Sequence, residues 1–308
     1  MKRRRFLTIT AGLAGASALP GAAFAAASPA AEQLSVWRGT AIGSAATIAI
    51  AAPDAQAHLD AARAEIARLE QVFSLFDAQS QLSRLNRDGA LEAPALELVE
   101  CLSLAGQIHR VTDGLFDPSV QPLWAAWARA AAEGRQPTAA ELTAARNVTG
   151  WQRVSVGTDR IALPQGAALT LNGIAQGYIA DRVAALMTAR GLGDVFIDSG
   201  EFRAMGRRAP DREWEATLPG GATATLRDRA MATSSPMGTS FDGKAGHILD
   251  PRRGQPAGAV WGSVTVTAGL AAIADGLSTA ACLMPDRASI EAACAKLPDA
   301  SLTQALAA

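Results

Sequence analysis

The sequence predicts a single α+β domain in which helices flank antiparallel or mixed sheets. Three observations predict it. Long stretches with a helical apolar period alternate with short β-rich runs, a tight turn joins two of those runs as a hairpin, and no repeat or low-complexity linker divides the chain. With 308 residues, 49% of them hydrophobic, the chain is long enough to bury one large core. A net charge of −1 with 19% charged residues leaves no sign of the basic face that a nucleic-acid partner needs.

The elements follow in order. "MKRRRFLTITAGLAGASALPGAAFAAA" has a basic start, a modest apolar middle and Ala23-Phe24-Ala25 before a small residue. Residues 1–30 are therefore expected to be a signal peptide, too short and glycine-rich for a membrane anchor. Arg3-Arg4-Arg5-Phe6-Leu7 fits the twin-arginine pattern and predicts export to the periplasm, an ordinary secretion signal being the alternative. Residues 31–308 then form the domain. "TAIGSAATIAI" reads as an early strand. From Asp54 a helix is expected, with Leu59, Ala62, Ile66, Leu69, Phe73 and Phe76 on one face. "FDAQSQLSRLNRDG" should break it into a polar loop, and "ALELVECLSLAGQIHRVTDG" is a second amphipathic helix ending near Gly114. "FDPSVQPLWAAWARAAAEG" starts as a turn and continues as helix. "WQRVSVGTDRIALP" is a hairpin about Gly-Thr-Asp. "GIAQGYIADRVAALMTARG" is a helix closed by Gly191, and "DVFIDSG" a short buried strand. Short strands follow up to "SVTVTAG", then "LAAIADGLSTAACLM" and a last helix near Ser289. Cys101, Cys282 and Cys294 have no CxxC partner or nearby histidine and read as buried apolar residues, with a Cys282–Cys294 disulfide left open.

Two features carry chemistry. "GHILDPRRG" holds His247, one of three histidines, in what reads as a strand entering a loop. By itself it reads as a surface turn whose arginines are solvated and whose histidine caps a carbonyl. In "ADGLSTAA", Asp275 and Thr279 stand four apart, on one face of an apolar helix, where their oxygens suit a hard cation that keeps water or phosphate. The alternative is a capping Asp275 and a Thr279 bonded back to the preceding turn. Gly173 and Gly177 would let a ligand approach the backbone at a helix start, although the GxGxxG dinucleotide fingerprint is missing.

Taken in order, "FSLFDAQSQLSRLN", "TDGLFDPSVQPL", "GIAQGYIAD", "HILDPRRG" and "ADGLSTA" resemble the ApbE family, the FAD:protein FMN transferases, and the resemblance spans nearly all of the mature chain. It implies an ApbE-type domain that binds FAD with Mg²⁺. Such enzymes cleave the pyrophosphate, move FMN onto a Ser or Thr hydroxyl of a partner flavoprotein and release AMP. It further implies Phe76 against flavin or adenine, Leu115, Phe116 and Asp117 on the adenosine-contacting turn, and Asn172 and Tyr178 beside the ligand. Arg38, where the family commonly has methionine, and Leu249 in the histidine loop join the implied FAD contacts. The Ala175 carbonyl, Asp275 and Thr279, with Ser278 adjacent, would hold the metal, and His247 would be the catalytic base. The twin-arginine start and "DSGEFRAMGRR" are similar to the NosX branch, which serves nitrous-oxide reductase maturation and implies a NosR-type membrane acceptor. Departures are Gln176 where the family often has lysine, Thr170-Leu171-Asn172-Gly173 for Asp-Leu-Gly-Gly, and Ser199-Gly200-Glu201 for Gly-Gly-Asp. Two other activities fit the same residues: an Mg²⁺-dependent FAD pyrophosphatase, and a non-catalytic FAD-holding accessory protein.

Overall fold

The computed structural model describes residues 34–41, 43–52 and 54–308. The expected signal peptide and its twin-arginine pattern lie outside the described residues. The molecule is built on a seven-stranded sheet of order β1-β2-β6-β7-β10-β13-β14, with every pairing antiparallel. Its strands are β1 (Leu34–Ala41), β2 (Ser44–Ala51), β6 (Val195–Asp198), β7 (Phe202–Met205), β10 (Ala230–Ser234), β13 (Trp261–Ala268) and β14 (Ser301–Ala307). "TAIGSAATIAI" is thus not one strand but the closing part of the β1–β2 hairpin, which turns around Gly43 at φ 76°.

One face of this sheet carries the helices. α1 (Ala55–Phe73) buries Leu59, Ala62, Ile66, Leu69 and Phe73, as its period predicts. It stops at Phe73, so Phe76 lies in the following loop and is 59% exposed. The stretch expected to be only loop contains α2 (Gln81–Asp88), started by Ser80, whose side chain accepts from Ser83 N, and ended by Gly89 at φ 75°. α3 (Leu96–Val111) and α4 (Gln121–Ala132) follow expectation. The short sheet of β3 (Ala90–Glu92), β4 (Ser155–Val156) and β5 (Arg160–Ala162) contains the expected hairpin. α5 (Ala139–Val148) was not expected; Thr138 and Glu141 form a capping box at its start. α6 (Ala175–Ala189), α7 (Ala271–Ala281) and α8 (Arg287–Cys294) complete the layer, and all three cysteines are buried free thiols. Two small hairpins are β8 (Trp214–Thr217) with β9 (Thr223–Leu226) and β11 (Leu249–Asp250) with β12 (Gln255–Pro256).

The main core runs from Ile48 and Ile50 on the sheet through Leu69, Leu102, Ile108 and Val183 to Leu277 and Ile290, so one apolar cluster joins early and late elements. A second cluster around Phe196 and Trp214 covers the other face.

Candidate active site

The site is assembled where α6 meets α7. Gly177 lets the two helices touch: a Cβ there would lie 2.4 Å from the Ala271 carbonyl. One turn further along α6, Asp181 accepts from Ala271 N at 2.9 Å and Ala272 N at 3.0 Å. It thereby caps α7, whose own N-cap residue, Leu270, makes no side-chain cap bond. Those two contacts bring Asp275, a turn inside α7, to the first turn of α6, where its Oδ2 lies 3.4 Å from Gly177 N. Asp275 is buried in the helix interior, so it is no cap. Burial pushes its carboxyl above the usual range; the Gly177 N–H opposes this and the Asp181 charge adds to it.

A chain of hydroxyls runs along the same part of α7. Ser278 Oγ donates to the Asp275 carbonyl at 2.9 Å and meets Ser234 Oγ at 2.8 Å; Ser234 Oγ in turn lies 3.2 Å from Thr279 Oγ1. Thr279 Oγ1 would sit 3.0 Å from a Cβ at Gly173, so the glycine opens the approach to it. Among the described residues no three His, Cys, Asp or Glu side chains form a metal-holding group. The donor set is all oxygen: one buried carboxylate with a single long hydrogen bond, hydroxyls, and the nearby start of α6. It fits a hard cation whose remaining ligands are water or phosphate, and not a nitrogen- or sulfur-seeking metal.

Beside this layer opens a cleft of about 1070 Å³, large enough for a dinucleotide. Phe76, Asn172, Ala175, Gln176 and His247 line it, together with Trp124 of α4. The histidine loop is held to α4 from below. Phe241 packs between Trp124 and Trp127, with ring centroids at 5.3 and 5.9 Å, and Trp127 Nε1 donates to the Gly254 carbonyl at 2.9 Å. Leu249 is buried with Leu123 and Trp127, so it anchors the loop. Asp250 accepts from Arg252 N at 2.9 Å and pairs with the Arg252 guanidinium at 3.3 Å; both arginines face outward. His247 Nδ1 lies 3.0 Å from the Thr239 carbonyl. A carbonyl only accepts, so the neutral ring carries its proton on Nδ1 and its lone pair on Nε2. Burial lowers the histidine's pKa from the usual 6.5, against backbone hydrogen bonds to Thr239 and Pro236. Burial thus favours the neutral ring.

The remaining expected site residues sit elsewhere in the framework. Tyr178 is buried edge-on against Phe73, and its hydroxyl donates to Glu100 Oε2 at 2.5 Å. Asp117 accepts from Ser119 N and Oγ and from Trp151 N, which ties the turn after α3 to the segment after α5. Phe116 is buried beside Gly173, and Leu115 packs on the main core. Arg38 is exposed on β1, opposite Thr47. Sequence reasoning missed Trp124, because an aromatic on an amphipathic helix has the same pattern as a core residue. It also missed that Gln176 Nε2 reaches Ser44 Oγ at 2.6 Å and so closes the β1–β2 turn over the start of α6.

Residues 42–301 match the model of the ApbE family. An FAD:protein FMN transferase of Haemophilus influenzae is 26% identical over 244 residues, 71% of this chain and 70% of the relative. One of Treponema pallidum is 31% identical over 254 residues, 70% of each chain. The crystal structure of the Pseudomonas stutzeri flavinyl transferase ApbE, in its apo form, is similar with a TM-score of 0.77 at 26% identity, over 88% of this chain and 90% of that one. With a match that spans both the cleft and the helix pair beneath it, this chain belongs to the ApbE family.

Proposed function

We propose that this chain is an Mg²⁺-dependent FAD:protein FMN transferase that places FMN on a Ser or Thr hydroxyl of a partner flavoprotein and releases AMP. The observation that carries the reading is the position of His247 in the lining of a cleft of dinucleotide size, its Nδ1 tied to the Thr239 carbonyl. The names of the relatives supply the reaction class. In the step proposed, the acceptor oxygen forms a bond to the FMN phosphorus. The bond from that phosphorus to the bridging oxygen breaks, and AMP leaves with the electron pair. The acceptor proton passes to His247 Nε2. The Thr239 carbonyl holds the ring in the required tautomer, and the Trp124–Phe241–Trp127 stack fixes the loop. Asp275, Thr279 and the Ala175 carbonyl would hold Mg²⁺, which supplies charge neutralisation on phosphate oxygens.

The twin-arginine pattern and "DSGEFRAMGRR" support export to the periplasm and a NosX-type role with a NosR-type membrane acceptor. The test is incubation with FAD and Mg²⁺, with and without an acceptor domain. Flavin fluorescence that stays with denatured acceptor supports transfer. Free FMN and AMP without labelled acceptor identify a pyrophosphatase, and unchanged FAD identifies a holding protein.

A further inference from the structure

We propose that Glu201 is a second carboxylate of the cation site at Asp275, making it a two-acid site for a hard divalent ion. The proposal rests on the cation part of the reading above. Glu201 ends the turn between β6 and β7, where Gly200 takes φ 97°. That turn lies on the first turn of α6: Ser199 Oγ donates to the Gln176 carbonyl at 3.3 Å, and a Cβ at Gly200 would be 3.4 Å from the Gln176 amide. On its other side, a backbone hydrogen bond from Thr233 holds the Glu201 carboxylate beside Ser234, the residue bonded to Ser278 and Thr279.

Glu201 is 6% exposed, yet its Oε2 is buried without any hydrogen-bond partner. Asp275 and Asp198, both of its own sign, act on it through their charges. Among the described residues neither Glu201 nor Asp275 has an ion pair, whereas Asp181 on the same helix pair has Arg203 at 3.4 Å. Gln176, neutral and committed to Ser44, brings no positive charge. Burying two like charges without a counter-charge is costly. An ion between them satisfies both, and adds hydroxyl and carbonyl donors already in place.

The test titrates Mn²⁺ alone into the full protein and reads free Mn²⁺ by electron paramagnetic resonance, with melting temperature measured in chelator and in Mn²⁺. Glu201→Gln keeps the shape and the acceptor for Thr233. It should lower Mn²⁺ affinity at least about tenfold. It should melt at or above the wild type in chelator, where a buried charge has been removed, and lose the stabilisation that Mn²⁺ gives the wild type. Asp275→Asn serves as the reference. If Asp275→Asn loses Mn²⁺ while Glu201→Gln keeps it, the proposal falls and the cation reading stands. If the wild type shows no saturable Mn²⁺, or neither variant changes it, both fall. A Glu201→Gln protein that melts lower in chelator yet binds Mn²⁺ normally makes Glu201 a structural residue and overturns the proposal.

Discussion

His247 has two separable duties, one for each ring nitrogen. Nδ1 is tied to Thr239 and belongs to the loop; Nε2 is the nitrogen left for the proposed chemistry at the cleft that His247 lines. His247→Ala should lower FMN transfer by about 10²–10⁴-fold, the range for a positioned general base. FAD affinity should change far less, since a base acts mainly in the transition state. Because burial lowers the ring's pKa, the neutral base is depleted only below the usual 6.5. The wild-type rate should therefore rise with pH through a region below 6.5 and level off above it, and the variant should lose that rise. Single-turnover transfer, FAD affinity and melting temperature on the one variant decide the matter; joint loss of binding, stability and rate would make His247 a loop cap. Asp275 makes a second prediction. Asp275→Asn keeps the shape of a residue buried among small neighbours, so the fold should survive while Mg²⁺-dependent turnover falls by at least about 10–100-fold. Unchanged Mg²⁺ dependence in the purified variant would remove Asp275 from the cation site.

At the level of elements, the site depends on the α6–α7 crossing. Asp275 is aimed by two features of α6: a glycine that lets backbone meet backbone, and an aspartate that caps the partner helix. Gly177→Ala puts its methyl against the Ala271 carbonyl at 2.4 Å, and backbone cannot rotate aside as a side chain can. The helices must separate. A cost of about 1–3 kcal/mol is expected, the scale of an overpacked core, with lower Mg²⁺-supported FAD affinity because Asp275 moves with α7. Gly173→Ala is the comparison. Its methyl meets side-chain atoms, Thr279 Oγ1 at 3.0 Å and a Phe116 ring carbon at 3.3 Å, so stability should suffer less while ligand approach suffers more. Melting curves and FAD titration on both variants check this; equal stability losses would mean that Gly177 is not the closer contact. These helices were legible because their apolar period is local. α5 was missed although Thr138 and Glu141 stand in the sequence at capping-box spacing, since a short alanine-rich helix shows little apolar period. The loop expected after α1 hid α2 because its residues are mostly polar, and its Ser80 and Gly89 end signals were the readable evidence.

For the whole molecule, the α+β class and the flanking helices were readable, while the order of strands was not. Thr47 stands opposite Asp198, and no local pattern can announce a pairing across so much sequence. β14 escaped for the same reason: "SLTQALA" becomes a strand by pairing with β13. In the site, residues in ordered motifs were legible, whereas Glu201 showed only as a departure from the family pattern and needed its buried neighbours to gain meaning. This long-range sheet bears on export. β2 pairs with β6, and β13 closes on β14 at the far edge, so the fold completes only after nearly the whole chain is available. Sheets of such non-local contacts close slowly, and a chain threaded through a membrane unfolded would have to close its sheet outside. A route that carries folded proteins lets the sheet close before crossing. The adjacent Arg3-Arg4 with Phe6-Leu7 are the residues that would select it. Replacing Arg3 and Arg4 with lysine keeps the charge of the leader, and so leaves an ordinary secretion signal intact. The substitution should hold the precursor in the cytoplasm, in a folded, protease-resistant form that binds FAD. Fractionation with a blot for precursor and mature chain reads the outcome. Mature protein in the periplasm at the wild-type level would show that the paired arginines do not choose the route, and that this sheet closes after export.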